Sequence, residues 1–367
     1  MSSNENKFRH AFLCLPNIGS ATLRALKEHF GSIEKAWHAA PSELQTIPQI
    51  RPEKTEGIIS SRTGIDPDKE WAAFLETGLS LISPDDETYP ALLRQIPDRP
   101  ETLYIWGDYD WNKSIPMISI VGSRKFTAYG EQVAAKLAED LTRAGFLVVS
   151  GLAFGIDSVS HEAALEAGGE TIAVLGSGLR QISPASHMAL AKKIAARGAV
   201  VSEYTPKMEG NKWTFPERNR IIAGMTLGTV VIEAAEGSGS LITAQCALEY
   251  NRDVFAVPGS IFSPYSMGTN NLIKRGAKTV TGVQDILEEL PAQLPLFSFD
   301  KSTAPRKIPG LSTEEETALA LLSHEPLHID KIIKSMKLPS SKASSLLSLL
   351  EIKGLAKNVG GMHYVRV

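Results

Sequence analysis

The chain has 367 residues, 43% of them hydrophobic and 22% charged, with a formal net charge of −3 and a pI near 6.3. This is globular composition, which excludes a disordered chain, and the slight acidity excludes nucleic-acid or membrane binding through global charge; a polyanion site has to be local. Cys14 and Cys246 are far apart with no partner in zinc spacing, so neither a disulfide scaffold nor a structural metal is expected, and both read as small buried hydrophobes.

Residues 1–80 read as an N-terminal helical module. Their start, MSSNENKFRHAF, has no apolar signal core, and no run in the chain reaches membrane-span length, so a reducing cytoplasm and no membrane partner are expected. In LPNIGSATLRALKEHFGSIEKAW, Leu23, Leu26, Phe30 and Ile33 recur at helical spacing, which predicts short helices with small hairpins. The Pro-Asn-Ile-Gly-Ser turn resembles that of a helix-hairpin-helix or SAM-like module, whose backbone N–H groups can meet a phosphate. The partner stretch, IPQIRPEKTEGIIS, lacks the glycine, and a purely packed helical module is the alternative.

Residues 81–290 alternate two patterns. MISIVGS, FLVVSG, TIAVLGSG, AVVSEY, TVVIEA and DVFAVPG predict strands, with helices such as GEQVAAKLAEDLTRAG and LITAQCALEYNR between them. Near-continuous apolar strands alternating with amphipathic helices imply an α/β fold, a doubly wound Rossmann-like parallel sheet covered on both faces, with ligands beyond the carboxyl ends of its strands. Residues 291–310, PAQLPLFSFDKSTAPRKIPG, are proline-rich and aperiodic and read as a linker. Residues 311–367 hold three helical patterns and a hairpin around Gly360-Gly361, which predicts a winged-helix module. Its third helix offers mostly Ser and Leu where base-reading helices carry Arg, Asn or Gln, so a protein-contact role stands beside DNA reading.

Four stretches of the central region carry chemistry. After the first strand, IVGSRKFTAYGEQ has Gly122-Ser123-Arg124 where a dinucleotide fingerprint needs Gly-x-Gly-x-x-Gly, and the second strand closes on Ser150-Gly151 without an acid. NAD binding is therefore disfavoured and no cofactor is expected. The turn with Arg124 suits an anion at a helix entrance; the alternative pairs Arg124 with a surface carboxylate. Asp157 and His161 share a helix face but no third group converges on them, so they read as a helix-start acid and a partly buried structural histidine.

In KWTFPERNRIIAG, Lys212 and Phe215 precede a helix whose first turn accommodates Pro216. Arg218 and Arg220, two apart, face opposite sides, so one meets a ligand and the other braces the fold. An aromatic face beside cations suits a base stacked next to its phosphate; the alternative makes Trp213 and Phe215 core plugs and leaves the arginines in solvent. In GSGSLITAQ, Gly237 and Gly239 permit close approach, Ser238 or Ser240 can cap the helix, and free N–H groups at Gly239 and Ser240 suit phosphate. No Gly-Lys-Ser/Thr follows, so this is not a P-loop, and an ordinary capped helix is the alternative.

These stretches, with YPALLRQIPDRPETLYIWG, VVSEYTP and SMGTNNLIKRGA, run in order from about Tyr89 to Ala277 and resemble the DNA processing protein A family (DprA, also called Smf). IPDRP departs from the more usual Asp-Pro-Pro, and ISPAS from a usual Tyr-Pro, both at scaffold positions. The resemblance implies a protein without catalysis that binds single-stranded DNA cooperatively, works as a homodimer, and loads the recombinase RecA in natural transformation. It implies a DNA pocket of Gly122, Ser123, Arg124, Lys212 and Phe215, with Arg218, Asn219 and Arg220 as supports or further contacts. A dimer contact around Leu272, Ile273 and Val280 is implied as well. The low pI is compatible with this, because acidic surface beyond a Debye length of about 8 Å weighs little on a basic groove. One rival is a Rossmann enzyme of the nucleoside monophosphate phosphoribohydrolase kind, invited by Glu233 before AAEGSGS, although the Gly-Gly-x-Gly-Thr loop is absent. Another is a structural hub whose winged helix recruits partners.

Overall fold

The computed structural model describes residues 2–290, 311–323 and 326–366, and the chain divides into two compact units, Met1–Phe297 and Ser298–Val367. The stretch 291–310, expected as a linker, lies outside the described residues.

The first unit opens with helices α1 (Ser2–Leu13), α2 (Ser20–Phe30), α3 (Ile33–His38), α4 (Pro41–Leu44), α5 (Pro52–Arg62) and α6 (Pro67–Leu75). The apolar period from Leu23 to Ile33 does not belong to one helix. Gly31 closes α2 in the left-handed region at φ 79°, and Ile33 begins α3 behind Ser32, whose hydroxyl accepts from the Lys35 N–H at 3.1 Å. Phe8, Phe12, Leu23, Leu26, Ile33 and Trp37 nevertheless meet in one core. Buried polar contacts key these helices to the sheet. The Ser20 hydroxyl donates to Glu203 and accepts from the Glu101 N–H at 2.8 Å, while Arg24 donates to Glu101 at 3.1 Å and to the Arg99 carbonyl at 2.7 Å.

The sheet has nine strands: β1 (Ser80–Ile82), β2 (Leu103–Trp106), β3 (Met117–Val121), β4 (Leu147–Ser150), β5 (Thr171–Leu175), β6 (Ala199–Ser202), β7 (Gly228–Val231), β8 (Asp253–Ala256) and β9 (Lys278–Thr279). Their order is β1-β2-β6-β5-β4-β3-β7-β8-β9, parallel from β6 to β9, with β2 and β1 added antiparallel at one edge. The six expected strands are β3 to β8. Sequence reading missed β1, β2 and β9 because short strands outside the strand-helix alternation carry no repeating signal.

Helices cover both faces: α7 (Ala91–Gln95), α8 (Ala128–Arg143), α9 (Ile156–Glu166), α10 (Met188–Ala195), α11 (Thr214–Gly224), α12 (Gly239–Glu249), α13 (Met267–Lys274) and α14 (Val283–Glu289). Ile118 and Ile120 of β3 share a core with Leu137 and Leu141 of α8 and Ala164 of α9. Val121, Val149, Val174 and Val231 join the opposite core with Ile221 and Ile222 of α11 and Ala244 of α12. This alternation is the doubly wound pattern, and it places the site. The chain leaves β3 toward one face and β7 toward the other, so their following turns part and open a crevice at the carboxyl edge.

The second unit contains α15 (Thr313–Leu321), β10 (Leu327–His328), α16 (Ile329–Met336), α17 (Ser340–Ile352), β11 (Ala356–Gly360) and β12 (His363–Arg366), with strand order β10-β12-β11. Leu319, Ile332, Leu347, Leu350 and Tyr364 form its core, giving the expected winged helix. The third helix, α17, turns Ser341, Ser344, Ser345 and Leu349 outward. No described helix is long and apolar enough to cross a membrane.

Candidate nucleic-acid interface

A cleft of about 630 Å³ occupies the crevice, between the turns that follow β3 and β7 and the start of α11. Gly122, Ser123, Arg124, Lys212, Phe215, Arg218, Asn219, Gly239 and Ser240 all line it; Arg220 does not.

The first wall is the turn after β3. Gly122 is held to glycine by packing, since a Cβ there would lie 2.6 Å from Cγ1 of Ile156. The Ser123 N–H donates to the Glu233 carbonyl at 2.8 Å, and the Ser123 hydroxyl accepts from the Lys125 N–H at 3.1 Å while donating to the Lys125 carbonyl. The turn is thus closed on itself, leaving Arg124 exposed at its tip. Gly155, at φ 90°, presses the neighbouring loop against this turn; a Cβ on it would stand 2.3 Å from the Ser123 carbonyl oxygen. Among the described residues neither Arg124 nor Lys212 has a carboxylate within ion-pair distance, so the surface-pair reading of Arg124 falls.

The second wall is the start of α11. Phe215 is half-buried and Trp213 is exposed, so neither plugs the core. Two glycines fix the Phe215 ring. A Cβ on Gly176 would lie 2.8 Å from its Cδ1, and one on Gly210 would lie 2.9 Å from its Cζ. The guanidinium carbon of Arg124 sits 5.8 Å from the ring centroid.

Arg218 forms the floor. It is fully enclosed, and its Nη1 donates to the Gly151 carbonyl at 2.6 Å and to the Val174 carbonyl, tying the ends of β4 and β5 together. Its Nε donates to Asn219 at 3.2 Å, and Asn219 in turn donates to the Gly239 carbonyl at 3.1 Å, reaching the loop before α12. Burial lowers the Arg218 pKa to about 10, with Asp157 opposing and Arg124 adding to the shift, so the group stays a cation at neutral pH. Asp157 is buried alongside; burial raises its pKa, and the charge of Arg218 and the Ala153 N–H act against that rise.

Of the two roles left open for Arg220, support or contact, its surroundings are those of a brace, and it lies outside the cleft. Two positions along α11 turn it to the opposite side, where it donates to Glu203 and, at 2.6 Å, to the Asp98 carbonyl. Glu203 also accepts from Ser20, so Arg220 belongs to the joint with the N-terminal helices.

The third wall is the start of α12. The expected serine cap is not made: the hydroxyls of Ser238 and Ser240 lie 2.9 Å from each other, and no side chain caps the helix. Of its first-turn N–H groups, that of Leu241 donates to the Ser238 carbonyl at 3.0 Å, while those of Gly239 and Ser240 are left to solvent or to whatever enters the cleft, with open space beside Gly239.

Glu233 is spent elsewhere. Its carboxylate accepts from the Thr127 N–H at 2.9 Å and the Thr127 hydroxyl at 2.6 Å, anchoring the start of α8 outside the cleft. No sequence signal announced that role, because it depends on the pairing of β3 with β7. His161 is fully rather than partly buried. Its Nδ1 lies 2.7 Å from the Thr171 hydroxyl oxygen, whose proton goes to the Val148 carbonyl, so Nδ1 is the donor; burial lowers the ring's pKa to about 3, which leaves it neutral.

Leu272 and Ile273 on α13 are partly exposed. Val280 is corrected: it is 1% exposed, within the core that holds Phe255 and Ile286, and cannot present its side chain to a second chain. His10, Cys14 and Glu70 bring three possible metal donors within 4.8 Å of one another, a cluster the sequence reading missed although His10 and Cys14 are one helical turn apart. Burial lowers the His10 pKa to about 4 and raises the Cys14 thiol to about 12, and Sγ of Cys14 lies 3.8 Å from Nε2 of His10.

Residues 80–291 match the family model described as DNA recombination-mediator protein A, and residues 302–362 match the DprA winged helix domain. Protein Smf from Synechocystis sp. is 34% identical over 100% of both chains. The X-ray structure of DNA processing protein A from Streptococcus pneumoniae is similar with a TM-score of 0.70 at 34% identity, covering 78% of this chain and 98% of that one. DNA processing protein A from Helicobacter pylori, whose structure is described for its single-stranded DNA binding mode, gives 0.52 at 29% identity, over 57% of this chain and 94% of its own. The family match spans every wall of the cleft, and the chain belongs to the DNA recombination-mediator protein A family.

Proposed function

We propose that the protein binds single-stranded DNA in this cleft and serves as a recombination mediator that loads RecA onto the strand in natural transformation. Membership of the family supports a DNA-processing role. The observation that carries the strand-binding reading is the placement of two cations without carboxylate partners, Arg124 and Lys212, around the half-buried Phe215 ring. The cations suit phosphates, the uncapped start of α12 adds N–H donors, and the ring suits a base. A duplex hides its base faces, so a ring recessed in a cleft favours single strands.

The protein acts on this reading without catalysis, in the cytoplasm, as a homodimer contacting through α13 with Leu272 and Ile273. The rival nucleotide-cleaving enzyme loses its proposed acid, since both oxygens of Glu233 are engaged by Thr127 away from the cleft. The loading step is tested by RecA strand exchange on single strands pre-coated with a single-strand-binding protein. Stimulation by this protein is expected; strand binding without stimulation would remove RecA loading and leave the cleft assignment standing.

A further inference from the structure

We propose that Trp213 is a second stacking platform, taking the base next to the one held at Phe215, so that the strand runs out of the cleft across the start of α11. This rests on the single-strand reading of the cleft. Trp213 is 71% exposed, whereas Trp37 is buried and Trp71, Trp106 and Trp111 are half-buried. A single exposed aromatic is unremarkable by itself; its mounting and its neighbour set this one apart.

The mounting is rigid. Asn211 Oδ1 accepts from the Trp213 N–H at 2.9 Å and from the Thr214 N–H at 3.2 Å, while the Thr214 hydroxyl accepts from the Asn211 N–H at 2.9 Å. The indole is therefore presented on a turn already fixed before any ligand arrives, which limits the ordering that binding has to supply. The neighbour is Lys212. Its ammonium lies 4.9 Å from the Trp213 ring centroid, and the same residue lines the cleft that contains Phe215. A phosphate held by Lys212 thus has one aromatic face on the cleft side and another on the outer side. Successive bases of a single strand can use both, because every base offers a π-face. The cation over the indole in the free protein is then drawn toward the phosphate, leaving the ring face to the base.

The test uses the full-length protein and fluorescence anisotropy of labelled oligo-dT across a salt series, with wild type, Trp213→Ala, Trp213→Phe and Phe215→Ala. Trp213→Ala is expected to raise Kd roughly 5- to 150-fold, the range for loss of one stacked base. Its salt slope stays at the wild-type value, since no phosphate contact is removed, and Trp213→Phe recovers most of the affinity. Unchanged binding by Trp213→Ala, alongside weakened binding by Phe215→Ala, would overturn the proposal and leave the cleft reading intact. A loss that comes with a shallower salt slope and no recovery by phenylalanine would also overturn it, by showing that the indole only positions Lys212. Failure of the wild-type protein to bind oligo-dT would remove both readings together.

Discussion

Arg124 and Phe215 come from different crossovers of the sheet yet face each other across the cleft, with the guanidinium carbon 5.8 Å from the ring centroid. A base entering the cleft meets the cation and the ring as one surface. Phe215→Ala is expected to weaken oligo-dT binding by roughly 1–3 kcal/mol. Far-UV circular dichroism of the variant should match wild type, because the ring forms a wall of the cleft and is no member of the main cores. Equal affinity of variant and wild type would remove the stacking role.

Arg218 has a different task. Its hydrogen bonds to Gly151 and Val174 are made to carbonyls at the ends of β4 and β5, and its charge opposes the rise that burial imposes on the Asp157 pKa. Arg218→Ala would strand those acceptors and leave the buried Asp157 without an offsetting cation, which is expected to destabilise the fold by about 3 kcal/mol. Chemical denaturation would read this as a lower midpoint. A midpoint within error of wild type would contradict the structural role.

Gly155 offers a purely steric test. At φ 90° and with the Ser123 carbonyl 2.3 Å from the position of a Cβ, Gly155→Ala must displace the turn that presents Arg124. The expected cost is about 2–4 kcal/mol of stability, from strain at a left-handed position plus a backbone clash. Strand affinity should fall even where the fold survives at low temperature, as anisotropy measured beside a thermal melt would show.

His161 sets a pH dependence. Its pKa is lowered from 6.5 to about 3 in the fold, first by burial and then by the charges of Arg218 and His187. Between those values the unfolded chain binds a proton that the folded chain refuses, so the residue's contribution is fully present above pH 6.5 and declines as pH falls below it. The stability gap between wild type and His161→Asn is expected to shift against wild type from about pH 7 to about pH 5. An imidazole NMR signal that titrates near its ordinary value of 6.5 in the folded protein would refute the buried neutral state.

The strands β3 to β8 were legible because each is a short apolar run ending in small residues, and that ending is also what puts Gly122, Ser123, Gly239 and Ser240 at the carboxyl edge. At Arg124, Lys212 and Phe215 the local pattern left alternatives open, and only the family resemblance named them together; the fold brings them to one cleft. What escaped depends on partners distant in sequence. Glu233 reaches Thr127 only because β3 pairs with β7, Arg220 finds Glu203 only once α11 packs beside the end of β6, and Ser20 reaches the same glutamate only once the N-terminal helices dock. Val280 entered the expected dimer contact only through the family resemblance, whereas the packing of α14 against the sheet encloses it. The Ser238 cap failed because the two serine hydroxyls turn to each other.

The most direct measurement is anisotropy of a labelled oligo-dT and of its duplex across a salt series, with wild type, Arg124→Ala and Lys212→Ala. Tight binding of the single strand over the duplex is expected, weakened in both variants, with the slope of log K against log salt shallower by about 0.7 for each phosphate of the single strand that the variant no longer neutralises. Equal affinity for duplex and single strand, or variants indistinguishable from wild type at every salt concentration, would contradict the assignment of this cleft to single-stranded DNA.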